Sequence, residues 1–174
     1  MKHCYDTWPT PFGEFSVALD DTGALVATAF GGVRMLRARF AAGELVRDSA
    51  RAAQARREID DYFAGRRRRF TLRLAAPGTP FQHAVWAQLQ GIPLGETRTY
   101  GQLAATLGRP GAARAVGRAN ATNPLCLVVP CHRVIGADGA LTGFAFGEKL
   151  KGRLIAHEQS FAALPMAPSR SRAA

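Results

Sequence analysis

The residues with the clearest chemical potential are Cys131 and His132, which stand side by side in the segment Pro-Cys-His-Arg-Val at 130–134. The apolar run before them, residues 125–129, predicts a short buried strand that delivers both side chains at its end. A thiol attacks only as the thiolate, so it needs a nearby base or cation, and His132 and Arg133 are the local candidates. The alternative is that Cys131 is a buried small hydrophobe, the usual fate of a free cysteine, because neighbours in sequence need not meet in space.

The cysteine count and the termini limit the class of protein. Cys4, Cys126 and Cys131 are odd in number and form no Cys-x-x-Cys pair, which argues against a disulfide framework or a zinc site and favours a reducing compartment. The amino terminus lacks the apolar segment of a signal peptide, and no apolar run approaches membrane-spanning length. These features predict a cytoplasmic protein with no membrane partner.

The charge balance points to a polyanionic partner. The 174-residue chain carries 23 Lys and Arg against 13 Asp and Glu, a formal net charge of +10. Nucleic acid is the first candidate for such a surface. The alternative is an arginine-rich composition that makes the surface basic without any partner.

The first 76 residues predict a small α/β domain with an antiparallel sheet. Alternating apolar residues on both sides of the turn at 20–23 predict a hairpin over 10–30. Helical spacing follows at 33–40, and a second helix is expected from Ser49, as its N-cap, to Gly65. Residues 70–74 alternate again and predict a third strand. The Ala-Pro-Gly at 76–78 reads as a linker.

Residues 77–162 predict a mainly helical domain, so the expected fold class is α+β. Thr79 can cap a helix that begins at Pro80. Thr99 and Gln102 have the spacing of a capping box, which opens a helix that ends at Gly108. Another helix is expected at about 112–120, so the pair has the outline of a helix-turn-helix. Residues 163–174 are expected to form a disordered tail.

The second helix of that pair is unusually bare. Ala113, Ala115 and Gly117 leave little side-chain surface, while Arg114 and Arg118 project from it. Glycine inside a helix costs about 1 kcal/mol relative to alanine, so a close approach to something should offset it. A narrow nucleic-acid groove and tight helix packing are both compatible with this pattern.

The last helix, expected at about 148–159, places an acid toward the buried side. Glu158 follows Ile155 by three residues and Leu154 by four, so it shares their face. A buried carboxylate needs a partner. His132 is one candidate, since a carboxylate on one ring nitrogen orients the other toward a thiol. The alternatives, which the residues alone favour, are a surface position at a fraying helix end and a pair with an arginine.

Together these motifs resemble the O6-alkylguanine-DNA alkyltransferases, also called methylated-DNA–protein-cysteine methyltransferases. The resemblance covers roughly residues 79–160 without a gap, and the amino-terminal half matches only in outline, as the family's variable domain of ribonuclease H-like form. The cysteine motif with Arg-Ala-Val-Gly seventeen positions upstream is its most specific part. The matching segments are, in order, Phe81-Gln82 to Trp86, Thr99-Tyr100-Gly101, Ala113-Arg114-Ala115-Val116-Gly117, Asn123-Pro124, Pro130-Cys131-His132-Arg133-Val134 and His157-Glu158.

The resemblance implies a role for each residue of the reaction centre. Cys131 would accept the alkyl group, His132 would act as its base through a water, and Glu158 would orient His132. Asn123 looks like the family's structural asparagine before the active site. Tyr100 would crowd the 3′ phosphate, promote rotation of the nucleotide and hydrogen-bond the flipped guanine.

The resemblance also implies how DNA would be bound. The bare helix is similar to the family's recognition helix in the minor groove, whose degenerate code suits a repair protein that must ignore sequence. Arg114 would fill the stack when the base leaves it. The expected DNA-binding residues are Arg114, Tyr100, Ala113, Ala115, Gly117 and Arg118. The expected pocket residues are Pro130, Val134, Phe144, Ala145 and Phe146.

The implied chemistry is an SN2 displacement that leaves Cys131 as a thioether. Water cannot expel a thioether, so each molecule would react once. No cofactor or catalytic metal is required. Some relatives hold a structural zinc, and although His3 and Cys4 are adjacent, no four-ligand set is visible. The implied partner is double-stranded DNA containing O6-alkylguanine, bound by a monomer, with cooperative binding left open.

One segment departs from the commonest family pattern. Many members carry Gly-Tyr-x-Gly-Gly after the cysteine, whereas residues 143–147 read Gly-Phe-Ala-Phe-Gly and place Phe146 at the first paired glycine. We hypothesise a narrower pocket that accepts methyl well and benzyl poorly. Phe144 in place of tyrosine also lacks one hydroxyl donor for the leaving group.

Three other functions compete with alkyl transfer. A non-catalytic lesion-recognition protein resembles this chain, but such relatives usually carry tryptophan at the position of Cys131. A helix-turn-helix regulator would need long polar side chains for the major groove, and the alanine-rich helix supplies few. A Cys-His hydrolase would need an oxyanion hole, for which the sequence shows no sign.

Overall fold

The amino-terminal sheet is built on alternating apolar side chains. The computed structural model of the chain describes residues 2–39 and 43–162. Strands β1 (His3–Thr10), β2 (Gly13–Leu19) and β3 (Leu25–Phe30) form an antiparallel meander, and β4 (Leu45–Arg47) joins β1 in parallel, giving the order β3-β2-β1-β4. The predicted hairpin is confirmed as β2 and β3.

Two helices cover opposite faces of this sheet. Helix α1 (Val33–Arg39) packs Leu36 against a small cluster that includes Ala18 and Leu45. Helix α2 (Ala53–Phe63) packs into the main core. The expected cap at Ser49 is wrong, since α2 begins four residues later and the Ser49 hydroxyl donates to Asp6 instead, at 2.9 Å.

The predicted strand at 70–74 does not form. Phe70, Leu72 and Leu74 do turn toward the core, but the segment pairs with the sheet only around Leu25, whose N–H donates to the Arg73 carbonyl at 2.8 Å. The alternation therefore predicted which side chains face the core, but it did not predict that the backbone would lack the hydrogen-bond ladder of a strand.

Residues 77–162 carry four α-helices: α3 (Pro80–Gln90), α4 (Tyr100–Thr106), α5 (Ala113–Ala121) and α6 (Glu148–Ala162). Thr79 and Thr99 form complete capping boxes with Gln82 and Gln102, so both predicted helix starts are confirmed. A 3₁₀ turn at Pro110–Ala112 joins α4 to α5 and completes the helix-turn-helix. Strands β5 (Arg98–Thr99) and β6 (Val134–Ile135) pair in parallel.

The two halves share one hydrophobic core. The main cluster combines Phe15 and Ile59 with Leu125, Leu154 and Phe161. The backbone also crosses between them, because the Thr28 N–H donates to the Pro124 carbonyl at 2.8 Å. The segment before the cysteine is therefore anchored on β3.

Candidate active site and nucleic-acid interface

A single 3₁₀ turn, Cys131–Arg133, holds the candidate nucleophile and its neighbour. The predicted strand at 125–129 is wrong: the run is buried, but it bends back on itself, with Leu127 at φ 73° and the Val129 N–H donating to the Leu125 carbonyl at 2.8 Å. Residues of this run fill the core while the turn after them presents Cys131, which is 4% exposed.

Asn123 fixes the shape of that bend. Its buried amide donates from Nδ2 to the Val129 carbonyl at 2.9 Å and accepts from the Leu125 N–H at 3.0 Å. Hydrogen bonds at both ends hold the left-handed residue Leu127 between them, a conformation that is costly without such support. The structure thus places Asn123 as the brace of the loop before Cys131.

The carboxylate of Glu158 joins the turn to the last helix. Its Oε1 lies 2.8 Å from His132 Nε2, and Arg133 donates from Nε to Oε2 and from Nη2 to Oε1, both at 2.8 Å. All three side chains are buried. The two partners considered from sequence, a histidine and an arginine, are therefore both present.

Charge and burial determine the protonation of this group. Burial alone would raise the pKa of Glu158, but hydrogen bonds and charges of His132 and Arg133 hold that pKa well below its ordinary range. Burial lowers the pKa of His132, so its ring is neutral at pH 7 and donates from Nε2 to the carboxylate. The other ring nitrogen, Nδ1, is buried and has no partner within the described residues. That nitrogen is a free acceptor for a proton.

The two buried thiols near the site differ in their surroundings. Burial raises the pKa of Cys131, while the Asn123 side chain and the charges of Arg39 and Lys151 oppose that rise. Burial raises the pKa of Cys126 to about 12, and its sulfur accepts from the Thr28 hydroxyl at 3.3 Å. The charge of Arg39 lowers the pKa of both thiols, and of the two only Cys131 is also influenced by Lys151, which favours its thiolate.

Tyr100 and Lys151 both donate to one backbone carbonyl, that of Thr142. The Tyr100 hydroxyl donates to Thr142 O at 3.0 Å, and the Lys151 ammonium donates to the same oxygen at 2.7 Å. Burial lowers the pKa of Lys151 to about 8. The ammonium also donates to the carbonyl of Val134, so it ties β6 to the loop at 142.

The bare helix α5 keeps an exposed face next to Tyr100. Arg114, Ala115 and Arg118 are exposed, whereas Gly117 faces the Tyr100 ring, to which an added Cβ would lie 3.8 Å away. Gly117 permits close packing on α4, and neither arginine side chain forms a hydrogen bond or ion pair with any other part of the described chain. Ala113, at the start of α5, is half-buried.

The expected pocket residues differ in burial, and two of them, Phe144 and Phe146, contact each other with ring centroids 5.5 Å apart. Val134 is fully buried and Phe144 nearly so, whereas Ala145 is exposed. The Phe146 ring packs on Phe30 with centroids 5.5 Å apart. A cavity of about 680 Å³ is lined by Pro130 with residues at 68–74 and 90–94, but not by Cys131.

Some members of the site could not be found from local sequence. Tyr62 of α2 donates its hydroxyl to Glu158 Oε1 at 2.7 Å, and the Gly95 N–H donates to Oε2 at 3.2 Å. Asn120 donates from Nδ2 to the Cys131 carbonyl at 3.3 Å. Tyr62 and Glu158 are 96 positions apart, so no periodicity links them.

Within residues 2–39 and 43–162, no three His, Cys, Asp or Glu side chains are grouped as a metal ion would require. Across the same ranges, no helix is long and apolar enough to cross a membrane.

Comparison with known proteins places this geometry in a family. Residues 3–76 match the 6-O-methylguanine DNA methyltransferase, ribonuclease-like domain, and residues 80–160 match the DNA binding domain of the same name. The methylated-DNA–protein-cysteine methyltransferase of Methanosarcina acetivorans is 41% identical over 156 residues, covering 90% of this chain and 98% of that protein. The Salmonella typhimurium protein of the same name is 58% identical over 102 residues, covering 58% of this chain and 60% of its own.

A solved structure agrees over nearly the whole length. Mycobacterium tuberculosis OGT in complex with DNA superimposes with a TM-score of 0.82 at 37% identity, covering 92% of this chain and 94% of that one. The similarity therefore includes both the sheet and the helical half. The chain belongs to the 6-O-methylguanine DNA methyltransferase family, whose named relatives are methylated-DNA–protein-cysteine methyltransferases.

Proposed function

We propose that the protein repairs duplex DNA by moving the alkyl group of O6-alkylguanine irreversibly to Cys131. The observation that carries this proposal is the buried turn in which Cys131 is followed by a histidine clamped on Glu158, beside a helix with two exposed arginines. The relatives named for this activity, and the OGT structure that contains DNA, support the same assignment.

The proposed reaction begins with proton transfer. His132 Nδ1, which has no hydrogen-bond partner among the residues that the structure describes, takes the thiol proton through a water, and Glu158 stabilises the imidazolium that forms. The Cys131 thiolate then attacks the alkyl carbon, an S–C bond forms, and the C–O6 bond breaks with its electron pair going to guanine. A proton returns to the guanine, with the Tyr100 hydroxyl as a donor at the base. The thioether that remains has no route back to a thiol, so each chain acts once.

Access to the buried thiol requires the base to leave the helix. Cys131 is 4% exposed, so a stacked guanine cannot reach it. We assign the exposed face of α5 to the minor groove, where its small residues allow close approach, and Arg114 to the space vacated by the flipped base.

The main test is intact-protein mass spectrometry of excess protein mixed with an O6-methylguanine duplex, followed by peptide mapping. We expect one added methylene equivalent on the Cys131 peptide and none in Cys131→Ala. Tight binding without a mass change would instead support a lesion-recognition protein that only marks the base.

A second test isolates Arg114. Arg114→Ala should slow methyl transfer from duplex DNA far more than reaction with free O6-methylguanine, because the thiol and its base are untouched. Arg57→Ala removes the same charge from the exposed face of α2 and serves as the control. Equal losses with both substrates would contradict the assignment of Arg114.

A further inference from the structure

Tyr62 brings the amino-terminal half into the reaction centre. It lies on α2, within residues 3–76 that match the ribonuclease-like domain, whereas Cys131 and Glu158 lie within 80–160. Its hydroxyl nevertheless donates to Glu158 Oε1 at 2.7 Å, and both side chains are about 1% exposed. A hydrogen bond to a buried carboxylate is among the strong ones, because no water competes for the acceptor.

That oxygen is shared by three donors. Oε1 accepts from Tyr62, from His132 Nε2 and from Arg133 Nη2, while Oε2 accepts from Arg133 Nε and Gly95 N. A carboxylate has about two lone-pair directions on each oxygen. The Tyr62 hydroxyl therefore competes with the imidazole for the negative charge on Oε1.

We propose that Tyr62 is a positioning residue for alkyl transfer, through which the amino-terminal domain limits how readily His132 accepts a proton. It acts on Cys131 only through Glu158 and His132. The inference rests on the proposed function in one respect, namely that His132 is the base for the thiol.

The direction of the effect follows from the charges around the ring. The groups that face His132 are the Glu158 carboxylate and the cations Arg133 and Lys151, of which the carboxylate alone favours the imidazolium. A donor on Oε1 withdraws charge from that carboxylate and weakens its hold on a protonated ring. Loss of the Tyr62 hydroxyl should therefore raise the pKa of His132.

The aromatic ring of Tyr62 has a separate packing role that the test must leave intact. It contacts the rings of Phe63, Phe70, His157 and Phe161 at centroid distances of 5.4 to 6.1 Å. Tyr62→Phe retains those contacts and removes one oxygen. Tyr5→Phe makes the same change on β1, where the ring packs against the smaller core cluster, and serves as the matched control.

The experiment follows the ring protons of His132 by NMR across a pH titration. In Tyr62→Phe we expect the pKa of His132 to rise by about 0.5 unit. Tyr5→Phe should leave the pKa of His132 unchanged. An unchanged or lowered His132 pKa in Tyr62→Phe would overturn the proposal.

A second variant guards against a folding defect. Replacement of Tyr62 by 3-fluorotyrosine makes the phenol a stronger donor, so the pKa of His132 should fall instead of rise, whereas a purely structural role predicts no such reversal. The pH midpoint of single-turnover methyl transfer should move in the same direction as the His132 pKa. The NMR titration needs neither DNA nor transfer, so failure of the proposed function would leave the test of Tyr62 intact.

Discussion

The buried pair between Arg133 and Glu158 gives the sharpest stability prediction. Arg133 contacts both carboxylate oxygens at 2.8 Å and also donates from Nη1 to the Ile92 carbonyl at 2.6 Å. Its side chain is 9% exposed and that of Glu158 is 1% exposed. We consider Arg133→Met and Glu158→Gln, which each neutralise one partner at similar volume, and the double variant that neutralises both.

Each single change should lower the free energy of unfolding far more than the loss of one partner from an exposed ion pair would. Removing one partner of a buried ion pair leaves the other charge without compensation and typically costs about 3–5 kcal/mol in the free energy of unfolding. In the double variant neither position carries a charge, so neither leaves an uncompensated partner behind. The cost of the double change should therefore fall short of the sum of the single costs by about 2–3 kcal/mol.

Urea unfolding of the four proteins, followed by far-UV circular dichroism, measures this cycle. Arg66→Met and Asp61→Asn provide a control cycle, because that pair has a 2.7 Å contact but side chains that are 66% and 29% exposed. The control coupling should lie at about 0–1 kcal/mol. Single costs for Arg133 and Glu158 that add to within about 0.5 kcal/mol of the double cost would refute the reasoning.

Three further predictions concern the surroundings of the thiol. Thr99→Ala removes the cap of α4 and should lower the free energy of unfolding by about 1 kcal/mol. It should also slow methyl transfer, because Tyr100 at the start of α4 is held less firmly. Thr99→Ser should retain both the stability and the rate. Because burial lowers the pKa of His132, the unfolded chain takes up the proton first, so stability should decline as pH falls below about 6.5. That decline, measured by urea unfolding from pH 8 to 5, should be smaller in His132→Gln. Free O6-benzylguanine should inactivate the protein much more slowly than methylated DNA does. Phe146→Gly should reduce the difference between these two inactivation rates. Equal rates in the unaltered protein would contradict the hypothesis of a narrow pocket.

Local chemistry explains which elements could be predicted from sequence. The start of α3 followed from Thr79 as a cap before Pro80, and the start of α4 followed from Thr-x-x-Gln spacing, since each signal is satisfied within four residues. Strand β1 escaped notice because its inward positions alternate Cys4 and Trp8 with the acid Asp6, which is buried against Arg47 and Ser49. The partners of Asp6 lie some forty positions away in the chain, so no local pattern reveals that this acid is buried.

The candidate site also contains residues that local sequence predicts and residues that it does not. Cys131 and His132 were adjacent in the chain, and the helical face of Glu158 was readable from its spacing to Leu154. The loop before the cysteine could not be predicted, because its apolar run is typical of a strand. The left-handed Leu127 and the hydrogen bonds of Asn123, which make it a loop, are visible only in the structure. Tyr62 was invisible for a related reason: its contact depends on how two distant helices pack.

The shared core has a consequence for synthesis on the ribosome. The sheet face that carries Phe15 and Val17 is covered partly by Leu125, Leu154 and Phe161, which are translated long after β2. At about 5–20 residues per second, the 98 residues that follow position 76 (174 − 76) take some seconds to tens of seconds to appear. During that interval the nascent sheet displays an uncovered apolar surface of the kind that chaperones bind. The segment before the reactive turn is hydrogen-bonded to β3 between Thr28 N–H and the Pro124 carbonyl. We therefore expect the turn to reach its final conformation only after the later residues have packed on the sheet.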